Sequence, residues 1–213
     1  VLRLRSGDAL VVVDSSGSVF EAAVGADDGS SVVLGRRVER PSEPSIDVTL
    51  AQAIPKGQKM DYVVEKTTEL GVGAIVPLRS KRVIGATTGA SKIERWRRIA
   101  KTAAAQSGRA RVPAVGDVVD WDELLPTFGG YDAVLLPWEG VEPVALRSRL
   151  GALVARAARV LVIIGPEGGF AHDEAQAAID AGAQAIALGP RILRTETAGL
   201  IVLTAILYET GNL

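Results

Sequence analysis

The spacing of apolar side chains changes character once along the chain. Up to about residue 40, apolar residues fall in short runs, Leu10–Val13, Val19–Val24 and Ser31–Leu34. Between them lie Asp14-Ser-Ser-Gly17 and Asp27-Asp-Gly-Ser30, whose Asp, Gly and Ser content favours tight turns. This pattern predicts a small all-β module of barrel type over residues 1–40. Arg36–Pro44, with two prolines among alternating charges, reads as a linker.

From residue 45 to residue 213 strands and helices alternate. Ile46–Ile54 is a strand, and Lys59–Leu70 places Met60, Val63, Val64 and Thr67 on one helical face before Gly71 stops it. Ala74–Leu78 is the next strand. Ser91 and Glu94 have capping-box spacing and open a helix with the apolar stripe Ile93, Trp96, Ala100 and Ala103. Ala133–Pro137 and Arg159–Ile164 are buried strands separated by a helix over Val144–Ala157. Asp173–Ala181 is a short helix, Ala185–Leu188 a last strand, and Thr195–Thr210 a closing helix that is apolar nearly all round. Such alternation predicts an α/β domain with a mostly parallel sheet covered on both faces. A helix without a polar face belongs either in deep core or at a subunit interface.

Composition narrows the chemistry. With 213 residues the chain is long enough to bury a core without staples. No apolar run approaches the length of a membrane span, so no membrane partner is expected. Zero Cys and one His, His172, exclude thiolate zinc sites, disulfides and multi-histidine metal centres, so no metal is expected. No secretory signal reads out of the first residues, which makes the cytoplasm the expected compartment. The net charge of −1 conceals an asymmetry. Arg79–Arg111 holds ten basic residues against Glu94 alone, a local charge of +9. The stretch from Val112 to Glu142 holds only acids: Asp117, Asp120, Asp122, Glu123, Asp132, Glu139 and Glu142. On charge alone the basic block is either a solvated helix face or the footprint of a polyanion.

Ligands of open α/β sheets sit beyond the carboxyl ends of the strands. Three strand exits carry glycine-rich sequence: Leu135-Leu-Pro-Trp-Glu-Gly140, Ile164-Gly-Pro-Glu-Gly-Gly-Phe170, and Leu188-Gly-Pro-Arg-Ile-Leu-Arg-Thr-Glu-Thr-Ala-Gly199. None is a phosphate loop, and no dinucleotide fingerprint is present. Gly-Pro pairs also serve as plain turn punctuation. Two in successive strand exits, the second running into Arg191, Arg194 and Glu196, favour a pocket that holds something flat and partly apolar through backbone groups.

These last two motifs together resemble the RsmE group of the SPOUT methyltransferases, which methylate uridine N3 in 16S RNA of the small ribosomal subunit. Lys66-Thr-Thr-Glu-Leu-Gly-Val72, Gln106-Ser-Gly-Arg109 with Val112-Pro113, and Val1–Asp8 extend the resemblance over nearly the whole chain. Ala105 departs from the acidic residue that the family pattern places before the Gln. The resemblance implies a PUA-like barrel that binds RNA and begins with a stretch preceding Val1. It further implies a SPOUT α/β domain with a deep C-terminal trefoil knot, and a homodimer formed through the knot region. It implies S-adenosyl-L-methionine held bent by loop backbone, with contacts on Leu136, Gly165, Glu167, Gly168, Leu188, Gly189, Ile192, Leu193 and Thr197. A side chain at Gly168 is then expected to fill the cofactor's approach.

Uridine N3 bears a proton, so the reaction needs a group to accept it and a charge to stabilise the uracil anion. The expected catalytic residues are Arg194 or Arg109 on the uracil oxygens and Glu196 as orienting group or proton acceptor. Glu196 has a second reading, as an acid favoured at a helix start. His172 reads more simply as part of a helix cap than as a base. Because N3 lies on the Watson–Crick edge, the target base must be unpaired or flipped, and the basic block would then grip the surrounding phosphates. The competing readings are a SPOUT enzyme acting at another RNA position, a non-catalytic RNA-binding protein, and a different nucleotide-dependent enzyme.

Overall fold

The computed structural model describes residues 4–14, 16–27, 31–39, 43–83, 88–141 and 146–213, with the side chains of 146–149 excepted. The chain divides into two compact units, Val1–Glu43 with Gly108–Arg111, and Pro44–Ser107 with Val112–Leu213. In the first unit β1 (Ala9–Val13), β2 (Val19–Val24) and β3 (Val32–Val38) form an antiparallel sheet in the order β1-β2-β3. Asp14 makes the first turn: its Oδ1 accepts the backbone N–H groups of Ser16 and Ser18 at 2.8 and 2.9 Å. β3 runs on to Val38, so the segment read as a linker from Arg36 begins as strand. Residues 28–30 of the second predicted turn, 40–42 of the linker and 142–145 at the predicted start of the Val144–Ala157 helix lie outside the described residues.

The second unit is built from β4 (Asp47–Ala53), α1 (Lys59–Leu70), β5 (Ala74–Arg79), α2 (Ala90–Ser107), β6 (Ala114–Val115), β7 (Val119–Asp120), α3 (Trp121–Leu124), β8 (Ala133–Pro137), α4 (Leu146–Val154), β9 (Arg159–Ile164), α5 (His172–Asp180), β10 (Gln184–Ile186) and α6 (Thr195–Glu209). A 3-10 turn over Leu125–Gly130 follows α3. Among the described residues the strands form one sheet in the order β10-β8-β9-β4-β5-β6, with β7 also on β5, and every pairing is parallel.

Strand alternation sorts the core into two layers. Leu50, Leu135, Val160, Val162 and Ile164 join Met60, Val63 and Val64 of α1, Trp96 of α2, Leu150 of α4 and Val202 and Ile206 of α6. Ala51, Val134, Leu136, Leu161 and Ile163 face the other way, onto Trp121, Phe128 and Phe170 and onto Ala175 and Ala178 of α5. Successive strand residues point to opposite faces, so near-continuous apolar strands are what a sheet covered on both sides requires. α1 ends as predicted because Gly71 takes the left-handed conformation, φ 106°, with its N–H on Thr68 O at 3.1 Å. α2 starts at Ala90, which places Ser91 inside its first turn rather than at its cap. α6 is not wholly enclosed: it packs on α1, α4, β4 and β9, while Ile201 and Tyr208, seven residues apart on one face, are exposed.

Candidate ligand pocket and its relatives

All the strands of a parallel sheet end on one side, and there the loops meet. The exits of β8, β9 and β10 and the start of α1 enclose a cavity of about 560 Å³. Its wall includes Pro137, Trp138 and Glu139 after β8, and Ile164, Gly165, Pro166, Glu167, Gly169 and Phe170 after β9. The third side runs from Ala187 through Thr195 and includes Leu188, Gly189, Arg191, Ile192, Leu193 and Arg194. Of the residues expected to hold a ligand, Gly165, Glu167, Leu188, Gly189, Ile192 and Leu193 are thus brought together. Three are not in the wall. Leu136 is wholly buried in the sheet core, and the cavity begins at the next residue. Gly168 turns its carbonyl to Arg82 Nη1 at 2.8 Å, and a Cβ built on it would meet the Arg82 side chain at 3.6–3.8 Å. Gly189, by contrast, is in the wall; its φ is 97°, and a Cβ built on it would meet nothing within 4 Å. Thr197 lies in the first turn of α6, its N–H on Arg194 O at 2.9 Å.

Arg194 lines the cavity with a side chain 81% exposed, and Glu196, 13% exposed, lies 3.9 Å from it. One oxygen of Glu196, Oε2, is buried without a hydrogen-bond partner among the described residues and lies 3.5 Å from Lys59 Nζ. Arg109 is not among the residues of the cavity wall. It belongs to the first unit, its side chain 4% exposed and its Nη2 2.7 Å from Glu43 Oε2. His172 opens α5 and packs edge-on to Trp138 at 5.6 Å between ring centroids. The cap contact is made by Glu174, whose Oε2 accepts the Ala171 N–H at 2.9 Å.

Lys59 is a charged wall residue that sequence reasoning missed. The exit of β4, Ile54-Pro-Lys-Gly57, is itself a proline- and glycine-bearing strand end, and that signal was available. Lys59 Nζ donates to Glu167 Oε1 at 3.1 Å, which with Glu196 ties three strand-exit segments together. The hydrogen bond to Glu167 raises the Lys59 ammonium above its ordinary value despite burial, with Glu196 adding to it. Burial disfavours the Glu167 carboxylate, but its own N–H, the Lys56 N–H and Lys59 outweigh that and hold it below the usual range.

The basic block also looks different once folded. Arg79 and Asp120 are register partners on β5 and β7 and bond at 2.7 Å. Arg97 bridges Glu94 at 2.7 Å and Asp117 at 3.0 Å, Arg95 binds Asp61 at 2.6 Å, and Lys81 pairs with Asp173. The acidic stretch and other carboxylates neutralise half the block. Lys92, Arg98 and Lys101 on the outer side of α2 carry no ion pair among the described residues. Among those residues there is also no cluster of three or more metal-ligating side chains, and no helix is long and apolar enough to cross a membrane.

A parallel α/β sheet whose glycine-rich exits surround one cavity defines a class of small-ligand-binding α/β proteins. Residues 41–207 match the RNA methyltransferase domain family. Ribosomal RNA small subunit methyltransferase E of Bacillus subtilis is 35% identical over 99% of this chain and 85% of its own length. Its Mycobacterium tuberculosis counterpart is 33% identical over 97% and 80%. The crystal structure of ribosomal RNA small subunit methyltransferase E from Neisseria gonorrhoeae, bound to S-adenosyl methionine, superposes with a TM-score of 0.86 at 30% identity, covering 97% of this chain and 85% of that one. The chain therefore belongs to the RNA methyltransferase family, in its ribosomal RNA small subunit methyltransferase E branch.

Proposed function

We propose that this protein transfers a methyl group from S-adenosyl-L-methionine to N3 of a uridine in 16S RNA of the small ribosomal subunit, in the cytoplasm. The observation that carries the reading is the convergence of the two motif-bearing loops on one cavity together with the β8 exit. The cavity suits the donor molecule: its volume lies within the roughly 300–1,000 Å³ usual for small-ligand sites, and its wall mixes apolar side chains with loop backbone. At Gly165 the backbone packs tightly: a Cβ would come within 3.1 Å of the Phe170 ring, which would have to shift by a few tenths of an ångström. Gly165, Glu167, Leu188, Gly189, Ile192 and Leu193 would hold the donor, with Leu136, Gly168 and Thr197 behind them. When bound, S-adenosylmethionine supplies a methyl group already activated on a sulfonium.

The chain's own task is the uridine. Arg194, exposed at the cavity, would meet negative charge developing on the uracil oxygens. Glu196 orients it, or accepts the N3 proton as a carboxylate held beside the Lys59 ammonium. Arg109, engaged with Glu43, supports the RNA-facing barrel unit instead. The C-terminal loops would form the trefoil knot, and the face of α6 bearing Ile201 and Tyr208 would meet the second copy of a homodimer. Lys92, Arg98 and Lys101 would contact phosphates flanking a base that is unpaired or flipped out.

Small ribosomal subunits lacking the modification, incubated with methyl-labelled donor and then digested to nucleosides, test the proposal. N3-methyluridine is the expected product. A different methylated nucleoside would move the reaction to another RNA position. No transfer and no donor binding would leave a non-catalytic RNA-binding protein.

A further inference from the structure

Gln52 lies in β4, the strand flanked by β9 and β5, and is fully buried. A buried amide is costly unless its polar atoms are bonded. Both donors of Nε2 are used, on Ala53 O at 3.1 Å and on Thr195 Oγ1 at 2.9 Å. Oε1 has no partner among the described residues. An aliphatic side chain would fill this place without an orphan oxygen, so core stability alone does not account for a glutamine here.

The bond to Thr195 has a consequence at the cavity. Since Thr195 Oγ1 accepts from Gln52, its single proton is directed to Gly165 O, 2.5 Å away. The buried relay thus runs from β4 through the first residue of α6 to the peptide that leaves β9. Thr195 and Gly165 line the cavity, whereas Gln52 does not. Gly199, one turn further along α6, admits the close approach: a Cβ there would lie 3.2 Å from Gln52 Oε1 and 3.4 Å from Leu50.

We propose that Gln52 is a positioning residue for the donor cavity, acting through Thr195 to set the Gly165–Pro166 peptide against the start of α6. The inference rests on reading this cavity as the S-adenosylmethionine site. A double-mutant cycle on donor affinity, measured by calorimetry well below each variant's unfolding temperature, tests it. Gln52→Met and Thr195→Val should each weaken binding about tenfold, the scale of one lost buried hydrogen bond with its misplacement. The double variant should bind no more weakly than Thr195→Val, and Thr195→Ser, which keeps the hydroxyl, should bind like wild type. Gln52→Met binding within about twofold of wild type, or losses that multiply in the double variant, would overturn the proposal. Should Thr195→Val fail to fold, Gln52→Met and Thr195→Ser still decide it. Failure of the wild-type protein to bind the donor is a separate outcome and overturns the reading of the cavity along with this inference.

Discussion

At the scale of single residues, the cavity is held by charge and by backbone conformation, and each makes a prediction. Lys59 and Glu167 titrate apart on folding. Glu167's contribution is complete above the ordinary glutamate value of 4.5 and is lost as pH falls through its lower folded value. That of Lys59 is complete below 10.5 and is lost as pH rises through its higher folded value. The difference in unfolding temperature between wild type and Lys59→Met should therefore be flat from about pH 5 to about pH 10 and shrink on both sides. A difference that varied across the middle of that range would show that the pair does not hold the loops. Gly189 tests the backbone. Its φ of 97° strains any side chain, and it lies in the cavity wall. In Gly189→Ala the free loop can relax out of about 1–2 kcal/mol of left-handed strain that the donor-bound loop must keep, so donor binding should weaken by about tenfold. Gly168→Ala, whose Cβ meets only Arg82 at ordinary distance, should leave binding nearly unchanged; calorimetry on the two variants reads both.

At the scale of elements, what could be read from the chain follows from how local the determinants are. α1 runs from Lys59 to Leu70 as expected because its apolar stripe and its Gly71 stop are both local. β6 and β7, two residues each, and the short α3 lie in the acidic stretch and were missed, since a two-residue strand has no period to detect. Three of the cavity's walls were legible as glycine-rich strand exits. The β4 exit that leads to Lys59 carries a proline and a glycine of the same kind and was passed over. The Gln52–Thr195 relay was not legible, because it depends on β4 lying between β9 and β5, an order that follows from long-range pairing. The α1 stop supports a stability prediction. A Cβ on Gly71 would combine its positive φ with an approach of 2.8 Å to Pro44 Cγ. Gly71→Ala should cost about 2 kcal/mol or more in urea unfolding, with donor affinity per folded molecule unchanged. A cost below about 0.5 kcal/mol would mean that the Pro44 segment gives way freely.

At the scale of the whole molecule, charge behaves differently from its distribution along the sequence. The +9 block and the acidic stretch that follows it are neighbours in the chain, and folding pairs them: Arg79 on β5 sits across from Asp120 on β7, and Arg97 reaches Asp117. A cation already held by a carboxylate should release fewer counterions when it meets a phosphate, so the paired arginines are expected to contribute little to any RNA affinity of this block. Lys92, Arg98 and Lys101 lack such partners among the described residues and are exposed on one helix. For single-stranded RNA each neutralised phosphate contributes about −0.7 to the slope of log affinity against log salt. Replacing all three by Gln should therefore make the slope shallower by about 2, weakening binding most at low salt and leaving donor affinity untouched. Arg79→Gln and Arg97→Gln should leave the slope nearly as it was, though each frees an aspartate. Equal loss of slope on replacing paired and unpaired cations would mean that the ion pairs open on binding and that the whole block faces the RNA. An unchanged slope in the triple variant would move the RNA contact off α2 altogether.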